Sequence, residues 1–459
     1  MPKSSGSASS ENAFFAEHTG IKTVEAFIID ANGVPRGKWL PRKAAEKLFT
    51  SGMNLPRSIF AMDIWGEDVL DAGLVTETGD PDGICRPAPE TLKPVPWYKR
   101  PTAQVILSMY EADGTPVFAD PRHVLQNILD RLAKMGVRPV VATELEFYLF
   151  GGGEAENTEA RPLPPFCYRT GKRHDNNQLY SLSEMHEFRP VLLDITKTCA
   201  AQGIPADTVI SENGPGQFEI NLNHVDNALH AADHAILIKR AIKGVAIRHG
   251  LDATFMAKPY AEQSGNGLHV HISLLDEKGD NVFAGNTPEG SRMLRHAVGG
   301  LLATMRESTA IFAANANSYR RFRKGSHAPT NICWGYDNRS AAVRIPSGDL
   351  KATRIEHRVS GADANPHLVI AIILSAILHG LENKIDPEEP IEGDAYALES
   401  QSVPSQWEDA LTLFENSSFV AEYLGTDYQK LYSACKRQEK EWFESTISDL
   451  EYDAYLRTI

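Results

Sequence analysis

The chain has 459 residues, with 46 Lys and Arg against 60 Asp and Glu, a formal net charge of −14. That balance argues against sequence-independent nucleic-acid binding, which depends on a positive surface. Hydrophobic residues at 42% and charged residues at 23% are ordinary globular usage, and the length exceeds one small domain.

Residues 1–18 read as a flexible tail rich in Ser, Gly and Ala, with no charged segment leading into an apolar run, so a cytoplasmic address is expected. Residues 21–40 read as a hairpin, with Val24, Phe27 and Ile29 on the first arm, Asn32-Gly33 at the bend and Lys38-Trp39-Leu40 returning. The prolines at 81, 87, 89, 94, 96 and 101 predict an extended loop. Ala103–Tyr110 reads as a strand and Asp113-Gly114 as a turn. Asp120 as cap, Pro121 at the first helical position and the stripe Leu125, Ile128, Leu129, Leu132 predict a helix that ends before Gly136. A boundary near residue 115 then separates a hairpin-rich domain, residues 19–115, from a larger one, residues 116–459.

Four later segments alternate with a period of two, which places one side chain in two on a common face. Val140–Phe150 presents Glu144 and Glu146. Gly216–Asn223 presents Gln217, Glu219, Asn221 and Asn223, with Glu212 one loop before. Gly267–Leu275 presents His269, His271 and Ser273. Thr353–Ser360 presents Arg354, Glu356 and Arg358, with Ile355, His357 and Val359 behind. If these fronts converge, clustered carboxylates repel in a low-dielectric site and require cations, and carboxylates with one or two imidazoles favour Mg²⁺ or Mn²⁺ over zinc. The arginines imply an anion, and divalent ions with Arg forks suit a phosphoryl group. The chain has no GxxxxGK[ST] loop, so ATP would be held without a Walker motif. The longest apolar run, Leu368–Leu378, is broken by Ser375 and falls short of the roughly 20 residues of a bilayer span. Five scattered cysteines without CxxC read as reduced thiols.

These segments, in this order, resemble the glutamine synthetase superfamily of the bacterial type I form. The likeness extends to Glu212-Asn213-Gly214-Pro215-Gly216-Gln217-Phe218-Glu219, Thr254-Phe255-Met256-Ala257-Lys258-Pro259, Gly265-Asn266-Gly267-Leu268-His269, Asn338-Arg339-Ser340 and Arg344-Ile345-Pro346. It implies an α+β protein with an N-terminal β-grasp-like domain and a catalytic domain built on an open, metal-lined β-barrel, assembled as a homo-oligomer, a dodecamer with sites shared between subunits. By resemblance, Glu146, Glu212 and Glu219 hold one divalent ion and Glu144, His269 and Glu356 another. His271, Ser273, Arg344, Lys351, Arg354 and, less closely matched, Asp207 serve ATP. Gly265, Arg321, Arg339 and Arg358 grip glutamate or phosphate. The chemistry implied is phosphorylation of the glutamate γ-carboxylate by ATP, then displacement of phosphate by nitrogen.

Glutamine synthetases carry a flap glutamate in an Glu-Ala-Pro context, whereas this chain reads Gly325-Ser326-His327-Ala328-Pro329. Replacing a fixed negative charge by His argues against ammonium as the preferred acceptor. Phe60–Gly66, Asn317–Phe322 and Gly361–Pro366 look like the γ-glutamylputrescine synthetase branch, which makes an amine the expected acceptor. His327 then either takes a proton from an alkylammonium or opens space for it. Asp63 is expected beside a neighbouring subunit's pocket, with Trp65 as an apolar wall or a core residue. The Leu381–Asp386 stretch lacks the family's modified tyrosine, which disfavours adenylylation. Rivals are a ligase of small alkylamines, ethanolamine or aniline, an ammonium-using glutamine synthetase, and a silent relative, which should have lost ligands.

Overall fold

A computed structural model describes residues 10–151, 162–174, 178–323, 325–398 and 401–459. The first sheet has six strands: β1 (Thr23–Ile29), β2 (Pro35–Pro41), β3 (Met53–Pro56), β4 (Asp82–Pro87), β5 (Lys93–Pro94) and β6 (Thr102–Tyr110), ordered β2-β1-β6-β4-β3 with β5 on β6. The β1–β2 hairpin turns because the Asp30 carboxylate accepts the backbone N–H groups of Asn32 and Val34 at 2.9 and 2.8 Å. Gly33 supplies the positive φ of +76°. The proline-rich stretch is not wholly loop, since β4 and β5 lie within it. Pro87 ends β4 and Pro94 sits on the two-residue β5, positions where a missing N–H costs the ladder little.

The helix Pro121–Lys134 follows, its first turn capped by Asp120, which accepts from Arg122 N–H at 2.9 Å. Leu125, Ile128 and Leu132 are buried along its stripe. It packs against a nearly closed, barrel-shaped sheet of eight strands: β7 (Val137–Phe150), β8 (Ala206–Ser211), β9 (Gln217–Leu222), β10 (Asp252–Thr254), β11 (Leu268–Asp276), β12 (Trp334–Tyr336), β13 (Val343–Ile345) and β14 (Ile355–His357). The order is β12-β13-β14-β11-β7-β9-β8, with β10 on β7. The back of each strand, Leu145, Phe147, Phe218, Ile220, Val270, Ile272 and Ile355, joins the main core. His357 is fully buried among them, 4.4 Å from the Phe312 ring, and burial pushes its pKa down to about 3.

The apolar helix Pro366–Asn383 is long and apolar enough by composition to cross a membrane, yet it lies inside this core. It meets the helix Arg292–Phe312 where Gly300 and Gly380 touch; a Cβ on Gly380 would stand 2.8 Å from the Gly300 Cα. Beside it a charged cluster is enclosed. Arg122 donates twice to Asp233, at 2.9 and 2.8 Å, and His367 Nε2 lies 2.9 Å from the same carboxylate.

Candidate active site

Strand register explains how distant acids and imidazoles meet. On antiparallel β7 and β11, His269 stands opposite Glu144; on β7 and β9, Glu219 stands opposite Glu146. On β11 and β14, Glu356 stands opposite His271, and on β13 and β14 it stands opposite Arg344. Directly opposed side chains have Cβ atoms about 5 Å apart, close enough for like charges to repel and opposite charges to bond. Regular pairing of β14 covers only Ile355–His357, shorter than its sequence pattern. Even so, Arg358 N–H still bonds Ala342 O at 3.0 Å, which keeps Arg358 on the inner face with Glu356.

The fronts line an inner cavity of about 390 Å³ that contains Glu144, Glu146, Glu212, Glu219 and Glu356, both imidazoles, Gly265, His327 and the arginines 321, 339, 344, 354 and 358. Glu144 is the best satisfied acid. Burial opposes its charge, but His271 at 2.9 Å and His269 at 3.1 Å outweigh that and hold its carboxyl well below the usual range. Arg354 Nε donates to His271 Nδ1 at 3.3 Å. Arginine only donates, so the His271 proton sits on Nε2, aimed at Glu144. Glu356 is likewise buried, but the charge of Arg358 beside it lowers its pKa, and Arg344 adds a bond at 2.8 Å.

Glu212 and Glu219 fare differently. Burial, then the charge of Glu146, pushes Glu212 up to about 8. Burial, then Glu144, Glu146 and Glu212, pushes Glu219 up to about 10. Among the described residues neither acid has an ion pair, and the charges of Arg339 and Arg358 offset only part of the penalty, a condition that a bound divalent ion would relieve. Ligand atoms of Glu144, His269 and Glu356 lie within 4.8 Å of one another, as do those of Glu146, Glu219 and His269. The oxygen-rich donor set with one imidazole fits Mg²⁺ or Mn²⁺.

An outer cavity of about 890 Å³ adjoins the first and is lined by Ser273, Lys351, Arg138 and Asn223, among others. Glu144, Asn221, His271 and Arg354 line both. Two expected residues are not brought to either. Asp207 is exposed on β8. Asp63 is fully buried, its carboxylate accepting the N–H groups of Trp65 and Glu67 at 2.9 Å each and Gln438 Nε2 at 3.0 Å. Trp65 is half exposed and lies against Trp442 and Phe443, with ring centroids 5.8 and 5.5 Å away.

Other residues of the site escaped the sequence pattern. Leu179, Tyr180 and Ile210 give the inner cavity its apolar side, and Tyr180 takes φ +60°. His327 takes φ +62° at the opposite edge, in a loop where Ser326 Oγ donates to Arg321 O at 2.7 Å. Such values strain a non-glycine residue. Arg321 is fixed through NH1 to Val359 O at 2.7 Å. Asn317 clasps the Lys258 backbone, accepting its N–H at 2.7 Å and donating to its carbonyl at 3.0 Å. Both halves of this clasp lie in stretches that the resemblance singled out, Asn317–Phe322 and Thr254–Pro259, but nothing in the sequence said that they meet.

The model of the glutamine synthetase catalytic domain matches residues 118–455. The chain is 40% identical to γ-glutamylputrescine synthetase PuuA of Escherichia coli (strain K12) over 97% of this chain and 93% of that protein. It is 33% identical to the glutamate–isopropylamine ligase of a Pseudomonas species, with 97% of each covered. Among solved structures, the GmaS/ADP complex superposes with a TM-score of 0.82 at 27% identity, covering 97% of this chain and 98% of the other. On this evidence, the chain belongs to the glutamine synthetase family.

Proposed function

We propose that the protein joins the γ-carboxylate of L-glutamate to an amine at the expense of ATP, through γ-glutamyl phosphate, with putrescine or a related polyamine as the acceptor, in amine catabolism. One observation carries the reading: five carboxylates, two imidazoles and five arginines face a single cavity whose flap presents His327 and no acid. Glu144, His269 and Glu356 would hold one Mg²⁺ or Mn²⁺ and Glu146, Glu212 and Glu219 a second. Such ions, when bound, neutralise charge on phosphoryl oxygens.

The chain's own groups do the rest. Ser273 and Lys351 in the outer cavity, with His271 and Arg354 on the shared wall, hold the nucleotide phosphates. Arg321, Arg339 and Arg358 orient the glutamate and stabilise charge on the transferring group, with Gly265 leaving room for the substrate backbone. Arg344, tied to Glu356 and Asp337, adds positive charge beside the phosphate path. The enclosed walls keep water from the acyl phosphate. His327 accepts the proton that the attacking alkylammonium must lose. For Asp63 to serve a neighbouring pocket, its carboxylate would have to leave its three donors, and Asp207 would have to reach the nucleotide from outside both cavities. The same reading carries a cytoplasmic homo-oligomer, a dodecamer with shared sites.

Phosphate release with glutamate and ATP, compared across putrescine, spermidine, isopropylamine, ethanolamine and ammonium, tests this. The highest kcat/KM should fall on a diamine or polyamine; a maximum on ammonium would overturn the acceptor assignment.

A further inference from the structure

Tyr148 and Gln217 are direct partners across β7 and β9, at the end of the ladder that carries Glu146 and Glu219. Neither is charged, and both side chains are almost completely buried. Both reach out of the sheet to one loop. Tyr148 Oη donates to Ser264 O at 2.8 Å, and Gln217 Nε2 donates to Gly265 O at 3.0 Å and to Asn266 Oδ1 at 3.1 Å. One cross-strand pair thus holds three successive residues.

The same pair fixes a second loop. Gln217 Oε1 accepts Gly214 N–H at 2.9 Å, while Gly214 packs against the phenol end of Tyr148; a Cβ there would fall 1.9 Å from the phenolic oxygen. Gly214 follows Glu212 by two residues, and Glu212 N–H is bonded to Gln217 O at 2.9 Å. Asn266 is anchored on its far side, donating to Met256 O at 2.9 Å. The loop with Gly265 and the loop with Glu212 both line the inner cavity. Their separation is therefore set by two neutral side chains, of which Gln217 also lines the inner cavity.

We propose that Tyr148 and Gln217 are positioning residues that hold the Ser264–Asn266 loop in the conformation that receives the amino-acid substrate, and that they act on glutamate affinity rather than on nucleotide affinity. The proposal rests on the ligase reading above. The mechanism is preorganisation: the loop's carbonyls are pinned before substrate arrives, so binding does not have to order them. The outer cavity has no wall from this loop, which is why the nucleotide should be indifferent.

The test uses the full-length enzyme and the best amine. Y148F removes one hydrogen bond and keeps the ring, so the glutamate KM should rise about fivefold, while Q217A, which loses three, should raise it tenfold or more. In both, the ATP KM should stay within about twofold of wild type. Q217E keeps an acceptor for Gly214 N–H but sets an oxygen against Gly265 O, so its glutamate KM should match that of Q217A. Glutamate-induced thermal protection, read without turnover, should weaken in the same order. An unchanged glutamate KM in folded Y148F and Q217E, or ATP and glutamate KM values that rise together, would overturn the proposal. If Q217A does not fold, the isosteric Y148F and Q217E decide it. Wild-type enzyme that releases no phosphate with glutamate would instead sink the ligase reading and leave the thermal test of the Tyr148–Gln217 pair standing.

Discussion

Asp233 and Glu219 are both carboxylates enclosed by protein, one on the helix Ala228–Arg248 and the other on β9, and they titrate in opposite directions. Burial penalises both. Asp233 has a bidentate arginine and an imidazole in contact, and these hold it well below the usual carboxylate range. Glu219 has three neighbouring glutamates, and the charge of Arg358 does not offset them. The first cluster is compensated among the described residues; the second has an arrangement that bound divalent cations would complete. Burial of charge therefore marks a functional site when the compensation is missing, and a structural one when it is present.

Four measurements would break or sharpen that contrast. The largest effect should come from Asp233→Ala, which strands Arg122 and His367 and should cost about 3–5 kcal/mol by urea unfolding, with or without divalent ions. A loss below about 1 kcal/mol would erase the distinction. Next, Glu219→Gln should lower ligation by roughly a hundredfold, the scale of disturbed metal shells, while leaving the metal-free protein as stable as wild type or more so. A lower unfolding midpoint for metal-free Glu219→Gln would show that the acid is already compensated.

The third measurement is the pH dependence of stability. In the metal-free fold Glu212 and Glu219 keep protons up to about 8 and about 10, whereas the unfolded chain releases them near the ordinary value of about 4.3. The native state then binds more protons across this window, so stability should fall as pH rises from about 5 toward about 8. Mn²⁺ or Mg²⁺ should flatten the slope. Asp233 works in the other direction, its contribution being present above the ordinary carboxylate range and lost on acidification. The smallest effect belongs to His327→Glu, which should shift acceptor preference toward ammonium by a fewfold with little change in the glutamate KM. An unchanged ranking of amines would remove His327 from the proton path.

Much of this was legible in local patterns. Asp120, Pro121 and the leucine stripe announced their helix, and Glu144, Glu146, Glu219, His269 and Glu356 showed themselves by alternation on strands with apolar backs. Register was not legible, because which residue faces which across β7, β9 and β11 depends on pairings such as Glu146 with Glu219 and Glu144 with His269, far apart in the chain. The division into two cavities escaped for the same reason. Asp233 gave no sign either; on the sequence it is one acid in a helix, and its partners come from positions 122 and 367. The proline-rich stretch misled because chain composition does not say which prolines fall at strand ends.

The partition between the two cavities is made of Glu144, Asn221, His271 and Arg354, and each presents itself to both rooms. An anion that draws Arg354 outward alters the tautomer lock on His271, and through it the field inside. If the two cavities take the two substrates as proposed, a titration of either alone should therefore report a different number from the same titration with its neighbour in residence.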